Sequence, residues 1–170
     1  MKKFFKDNLP KPEDLKKYKA LGVLGNSIFQ EEVWTINKHT VSRASAIGLF
    51  WGWMPMFFQM IPAAFCAVYF RANLPLSVAG VWVSNPITMP PMMYLGYEFG
   101  NIVLGIEPLF DKFEASIDWI VGVFSLIWEP LLVGTMIIGI SSALIGFFGI
   151  HLLWKIIAYR KLNRIKNNTK

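Results

Sequence analysis

Cysteine and charge are both scarce in this sequence of 170 residues. A single cysteine excludes a domain held together by disulfides. Charged residues make up 16% of the chain and hydrophobic residues 54%, whereas typical globular proteins are about 25% charged. The apolar content argues against a disordered chain, and the absence of a fixed repeat period argues against a solenoid. The composition leaves a membrane protein or an unusually apolar soluble one.

The sequence also lacks the motifs of common catalytic chemistry. It contains no HExxH, no pair of cysteines, no GxSxG and no P-loop, and only two histidines, His39 and His151. We therefore expect no enzyme, no metal and no cofactor. The acidic residues within 98–129 match no metal-ligand spacing and are expected to face water. The basic residues of 155–170 are expected to set orientation in a membrane, with no nucleic acid as partner.

The charges that are present lie in particular places. Most of the lysines and arginines lie within residues 1–43 and 155–170. Arg71 is the only charged residue in 44–97, and residues 130–154 carry no charge. A charge-free stretch of about 20 residues is long enough to cross a bilayer core. A soluble protein would need three such helices with no solvated side, so the sequence predicts an integral membrane protein.

The predicted fold is an all-α integral membrane protein, a small helical bundle with proline-broken and re-entrant segments. Short interfacial helices near the N-terminus and one amphipathic outer helix complete it. The lysine-rich start has no apolar run and is therefore not expected to be a signal peptide. The N-terminal half comprises a basic cytoplasmic or interfacial region 1–43, a kinked span 44–70 and a re-entrant hairpin 74–97. The C-terminal half comprises an acidic outer region 98–129, a span 131–157 and a basic cytoplasmic tail 158–170.

Two of these regions contain finer predicted elements. Residues 12–21 and Ser27–Trp34 are predicted as short helices at the membrane surface, with a mobile solvated arm as the alternative. Residues 113–128 carry an apolar stripe at helical spacing, and Glu129-Pro130 is expected to end that amphipathic helix.

The positive-inside rule predicts that both basic ends lie in the cytoplasm and that 98–129 lies outside. Because 131–157 crosses once, residues 44–97 must make an odd number of crossings. Proline density favours 44–70 as the crossing helix, with 74–97 dipping in from outside. The reverse assignment places Arg71 in the cytoplasm, which suits its charge, and it stays open.

Prolines and small residues indicate where helices break and where they meet. Proline removes a helical hydrogen bond, so breaks are expected at Pro55, Pro62, Pro86, Pro90 and Pro91. Small residues that let another helix come close form a stripe on the last span, at Gly139, Ser142, Gly146 and Gly149. The stripe fits packing within the monomer, a homo-oligomer or an envelope-enzyme partner.

Polar residues inside the apolar stretches form the candidate binding site. Such residues usually face a bundle interior or a water-filled cavity, and broken helices expose N–H groups suited to an anionic substrate. Arg71 would hold a phosphate. The residues expected to hydrogen-bond that phosphate or line its path are Asn73, Asn85, Thr88 and Gln59. In the alternative, Asn85 and Thr88 only satisfy freed backbone groups, and Arg71 reaches a lipid phosphate.

Two motifs in this region resemble a known family. Arg-x-Asn-x-Pro spans 71–75, and Trp-x-x-Asn-Pro-x-Thr-x-x-Pro spans 82–91. With Gly48–Gly52 and Tyr94–Gly96 they resemble the bacterial membrane family called domain of unknown function 2062, over roughly residues 20–155. The resemblance implies a small bacterial inner-membrane protein without an assigned activity. Some members are joined to glycosyltransferase-like domains, which implies lipid-linked sugar metabolism.

The sequence therefore predicts an inner-membrane protein that transports or handles an anionic lipid or a lipid-linked phosphate. Its partners would be the lipid bilayer and that ligand. The alternative is a membrane scaffold that partners an envelope enzyme without transporting anything.

Overall fold

A computed structural model describes residues 30–56, 58–107 and 117–168, and in these residues every regular element is a helix. The helices are α1 (Glu31–Trp34), α2 (Lys38–Trp53), α3 (Met60–Tyr69), α4 (Leu74–Val81), α5 (Met89–Leu104) and α6 (Ile117–Asn168). The all-α prediction is confirmed for this part of the chain. The predicted helix over 12–21, the start of the predicted helix Ser27–Trp34 and the start of the helix at 113 lie outside the described residues.

Helix α2 begins at a capping box. The side-chain oxygen of Asn37 accepts from the amides of His39 and Thr40, at 2.8 and 2.9 Å, and Thr40 Oγ1 accepts from the Asn37 amide at 3.1 Å. These bonds satisfy amides that a helix leaves free in its first turn. The helix ends at Trp53, two residues before Pro55.

Residues 44–70 fold back on themselves, so the prediction of one kinked span is wrong. The guanidinium of Arg43 donates to the carbonyl of Phe70 at 3.0 Å, and the amide of Asn73 donates to the carbonyl of Thr40 at 3.1 Å. The chain therefore leaves along α2, turns over residues 54–59 and returns along α3. Because its two ends lie together, this segment cannot carry the chain from one side of a membrane to the other.

Helix α4 then runs beside α2 in the same direction. Gly48 of α2 and Gly80 of α4 are so close that a Cβ on Gly48 would lie 2.8 Å from the Cα of Gly80. Helix α4 packs on α2 and α3, whereas α5 packs on α6, and α4 and α5 have no extensive contact with each other. The predicted hairpin over 74–97 is therefore wrong, because the chain continues onward after α4.

Helix α6 is continuous through Pro130, so the prediction that Glu129-Pro130 ends a helix is wrong. Its second half is antiparallel to α2, since Gly139 faces Phe50 and Gly146 faces Ser45. Its first half is antiparallel to α5, where the backbone of Gly100 lies against Pro130. Proline lacks a helical N–H, but close packing on a neighbouring helix can keep the helix intact around it.

Two separate apolar clusters hold these contacts together. One joins α1–α4 and includes Val33, Ala44 and Ala67, and the other joins α5 to α6 through Tyr97 and Leu131. Within the described residues, one helical stretch, Leu126–Lys161, is long and apolar enough to cross a membrane, and 22% of its most apolar window is buried.

Candidate functional site

The structure divides the predicted site residues between the two ends of α4. Arg71 and Asn73 precede this helix, while Asn85 and Thr88 follow it, and Gln59 lies with the second group because it bonds to Ser84. A helix of eight residues is about 12 Å long. The structure therefore does not bring Arg71 together with Gln59, Asn85 and Thr88.

Gln59 connects the two breaks in the helical chain, which are residues 54–59 between α2 and α3 and residues 82–88 between α4 and α5. This residue is 6% exposed; its Nε2 donates to the carbonyl of Met54 at 2.6 Å, and its Oε1 accepts from Ser84 Oγ at 2.9 Å. Both ends of the amide are thus used within the protein. Burying a polar group without a partner is costly, so these bonds stabilise the irregular backbone of both breaks.

Asn85 and Thr88 form a compact turn at the second break. Asn85 Oδ1 accepts from the amides of Ile87 and Thr88, and Thr88 Oγ1 donates to the carbonyl of Val83 at 2.6 Å. The amide of Asn85 also donates to Thr88 Oγ1 at 2.9 Å. This agrees with the alternative in which both side chains satisfy backbone groups freed by the break.

Asn73 holds the opposite end of α4. Its Oδ1 accepts from the amide of Leu76 at 3.0 Å, and its Nδ2 donates to the carbonyl of Thr35 at 3.3 Å. It is the N-cap of α4. Its side chain therefore fixes the start of α4 against the segment before α2.

Two arginines, which we call the arginine pair (Arg43 and Arg71), lie at this same end of α4. Arg71 follows Phe70, whose carbonyl binds Arg43. Its backbone has φ = 50°, and it is the one non-glycine residue with positive φ in the described part of the chain. Such a conformation is uncommon for arginine. Its Nη1 lies 3.3 Å from Glu32 Oε2, and both side chains are more than half exposed.

Sequence reasoning overlooked both Arg43 and Glu32. Arg43 is the last charge before the apolar stretch, and this position is the one signal that could have indicated its role. Nothing in the sequence shows that Phe70 would return to it, because the two residues lie 27 positions apart.

An apolar groove of about 250 Å³ lies between α2 and α3, and its lining exposes no polar surface. The residues that line it are Ala46, Ile47, Phe50, Trp51, Cys66 and Phe70. Arg43 is one helical turn before Ala46, and Arg71 directly follows Phe70, so the arginine pair borders one end. Among the described residues, the polar side chains at the two breaks form hydrogen bonds within the protein. The groove itself is apolar.

The prolines have two different roles. Pro55 and Pro86 lie within the irregular segments, as predicted for breaks. Pro62, Pro90 and Pro91 lie in the first turns of α3 and α5. A proline there removes an amide that has no helical partner in any case. The prediction that these three prolines break helices is therefore wrong, since they start helices instead.

Much of the small-residue stripe on α6 packs within the monomer. Gly139 faces Phe50 and Trp53, and Gly146 faces Ser45 and Leu49, while nothing lies near Gly149. Ser142 is half-buried. The homo-oligomer and the envelope-enzyme partner stay predictions.

Sequence reasoning missed a second set of glycines, which brings α5 against α6. A Cβ on Gly134 would overlap the carbonyl of Gly96, and a Cβ on Gly100 would overlap the carbonyl of Pro130. The spacing Gly96-x-x-x-Gly100 is a known signal for close helix packing.

Together, the described residues define an all-helical protein with broken helices and one helix capable of crossing a membrane. The chain belongs to the family described as "Uncharacterized protein conserved in bacteria (DUF2062)", whose model matches residues 22–163. This confirms the family expected from the motifs at 71–75 and 82–91. No curated protein and no solved structure matches the chain.

Proposed function

We propose that this protein is embedded in the bacterial cytoplasmic membrane and binds the phosphate of an anionic lipid. The first support is the apolar surface. Phe58, Ile102 and Ile145 are each at least 73% exposed, and further exposed apolar side chains lie along α3, α5 and α6. Apolar patches of this extent are unfavourable in water but match hydrocarbon. Retention of the protein in the membrane after carbonate extraction tests this step, and release into the supernatant would contradict it.

In the proposed topology, α2 and α3 form a re-entrant hairpin on the cytoplasmic side, and α4 with α5 carries the chain outward. Helix α2, with 16 residues, is about 24 Å long, shorter than a bilayer core of about 30 Å. Helices α4 and α5 have 8 and 16 residues, which reach about 36 Å in succession. The positive-inside rule places the arginine pair in the cytoplasm, together with both ends of the chain.

Cysteine labelling tests this topology. In a Cys66→Ala background, Ile106→Cys should react with a membrane-impermeant maleimide in intact cells, since it follows α5. Tyr69→Cys, at the end of α3, should react only after the cells are permeabilised. Labelling of Tyr69→Cys from outside would contradict the re-entrant hairpin.

The arginine pair is the observation that carries the ligand proposal. Two arginines from distant parts of the sequence lie at the same end of an apolar groove, one bound to the carbonyl of Phe70 and the other at the next residue. Arginine binds phosphate oxygens with two parallel hydrogen bonds. The ion pair between Arg71 and Glu32 is exposed, so it contributes less than about 1 kcal/mol. A phosphate can therefore replace Glu32 as a partner of Arg71. Gln59, Asn85 and Thr88 shape the breaks in this proposal and do not touch the ligand.

Mass spectrometry of co-purified lipids tests the ligand. We expect anionic lipid to be retained by the wild type and lost, by at least tenfold, in the double variant Arg43→Gln, Arg71→Asn. Asparagine is chosen at position 71 because it tolerates positive φ. Arg160→Gln, which removes an exposed arginine from α6, is the matched control. Equal retention by the double variant and the control would contradict the proposal.

A further inference from the structure

We infer that the apolar groove between α2 and α3 holds one hydrocarbon chain of the anionic lipid whose phosphate the arginine pair binds. This inference deepens the proposed function and rests on it. The groove would make the protein selective for a phosphate attached to a chain, as opposed to a free phosphate.

The lining of the groove suits a hydrocarbon chain but not a polar ligand. Its volume is about 250 Å³, and its surface comes from aliphatic and aromatic side chains with the thiol of Cys66. A polar molecule would lose its hydrogen bonds to water there without replacement. A hydrocarbon chain leaves neither donors nor acceptors unpaired.

The position of the charges commits the groove to an anionic lipid. Along α2 the lining residues Ala46, Phe50 and Trp51 follow Arg43, and on α3 Cys66 and Phe70 precede Arg71. Because α2 and α3 are antiparallel, both arginines lie at the same end of the groove. A phosphate at that end would have its chain directed along the apolar lining. Charge and apolar surface are thus arranged as in a single lipid molecule.

Photo-crosslinking tests where the chain lies. The wild type is reconstituted in phosphatidylcholine nanodiscs with a small fraction of phosphatidylglycerol that carries a diazirine near the middle of one acyl chain. We expect crosslinks in peptides of α2 and α3, and we expect the bound lipid to slow the reaction of Cys66, the single thiol of the chain, with a small maleimide. Crosslinks confined to α5 and α6 would overturn the inference.

A groove-filling variant makes the test sharper. Ala46→Phe places a ring in the groove and should reduce the α2 and α3 crosslinks by about tenfold, because several methylene groups lose their burial. Ala79→Phe adds the same ring to an exposed position of α4 outside the groove and should leave them unchanged. Equal crosslinking in both variants would overturn the inference.

Two further outcomes separate this inference from the proposed function. If lipid is retained through the arginine pair but the α2 and α3 crosslinks are missing, the groove inference fails while phosphate binding stands. If glycerophosphoglycerol, the headgroup without chains, competes as well as intact phosphatidylglycerol, the groove contributes nothing and the inference also fails. Crosslinking of residues 1–29 to the groove lining, detected without lipid, would show that the chain itself is the occupant.

Discussion

The two breaks in the helical chain contain similar residues but have opposite effects on its path. The first, over residues 54–59, contains Pro55 and ends at Gln59, and the chain reverses there. The second, over residues 82–88, contains Pro86 and an asparagine–threonine turn, and the chain continues to a new neighbour. Proline and polar caps therefore end a helix without deciding the direction of the next one.

Contacts far from each break decide that direction. After the first break, α3 returns along α2, where the buried residues Ala44 and Ala67 pack together and Arg43 binds the carbonyl of Phe70. After the second break, α5 packs against α6, where Gly96 and Gly134 let the two backbones approach. Substitutions can test the two close helix contacts, the bridge at Gln59 and the ion pair of Arg71, in decreasing order of the expected loss of stability.

Removing the contact between α5 and α6 should have the largest effect. Gly134→Leu places a side chain where the carbonyl of Gly96 lies. Because the clash is with the backbone of α5, it can be relieved only if α5 and α6 move apart. We expect destabilisation by more than about 4 kcal/mol, or no folded protein at all. Size-exclusion chromatography and thermal unfolding in detergent measure it. Gly149→Leu, on the same helix with nothing near it, is the control and should behave as the wild type.

The contact between α2 and α4 should be nearly as sensitive. In Gly48→Ala the new Cβ would lie 2.8 Å from the Cα of Gly80 and 2.9 Å from the carbonyl oxygen of Ser77. We expect a loss of about 1–3 kcal/mol in the free energy of unfolding. Gly52→Ala, whose Cβ would lie 3.6 Å from its nearest neighbour, should be neutral or stabilising. Equal loss in both variants would contradict the close approach.

Removing the hydrogen bonds by which Gln59 bridges the two breaks should lower the free energy of unfolding by an intermediate amount. Gln59→Leu removes the donor to Met54 and the acceptor from Ser84, and we expect a loss of about 1–3 kcal/mol. Ser84→Ala removes one bond of that bridge and should cost about 1 kcal/mol. A double-mutant cycle on these two residues measures their coupling in unfolding experiments. Strict additivity would show that the breaks are independent.

The ion pair at the end of the hairpin should have the smallest effect on stability. Glu32→Gln should change the free energy of unfolding by less than about 1 kcal/mol, because both side chains are exposed. The small difference from the wild type should disappear in high salt. The same variant should bind anionic lipid at least as well as the wild type, since Arg71 loses its competitor. Weaker lipid binding would contradict the role given to Glu32.

Local features of the fold followed from the sequence more closely than its path did. The helix ends near Pro55 and Pro86 were predictable, because a proline and nearby polar caps act within one turn. The role of Pro62 was not, since a proline in a first turn and one in a helix interior look alike in an apolar run. The site was divided for a related reason: Arg71 and Asn85 are close in sequence, but the length of α4 separates them.

The helical class, the apolar composition, the family and the helix ends near Pro55 and Pro86 followed from the sequence alone. Three features depend on tertiary contacts: 44–70 turns back, Arg43 binds the carbonyl next to Arg71, and α6 continues through Pro130. The range of the interactions explains this difference. Caps and prolines act over three or four residues, whereas the path depends on glycines and polar bonds that join residues 25 to 38 positions apart.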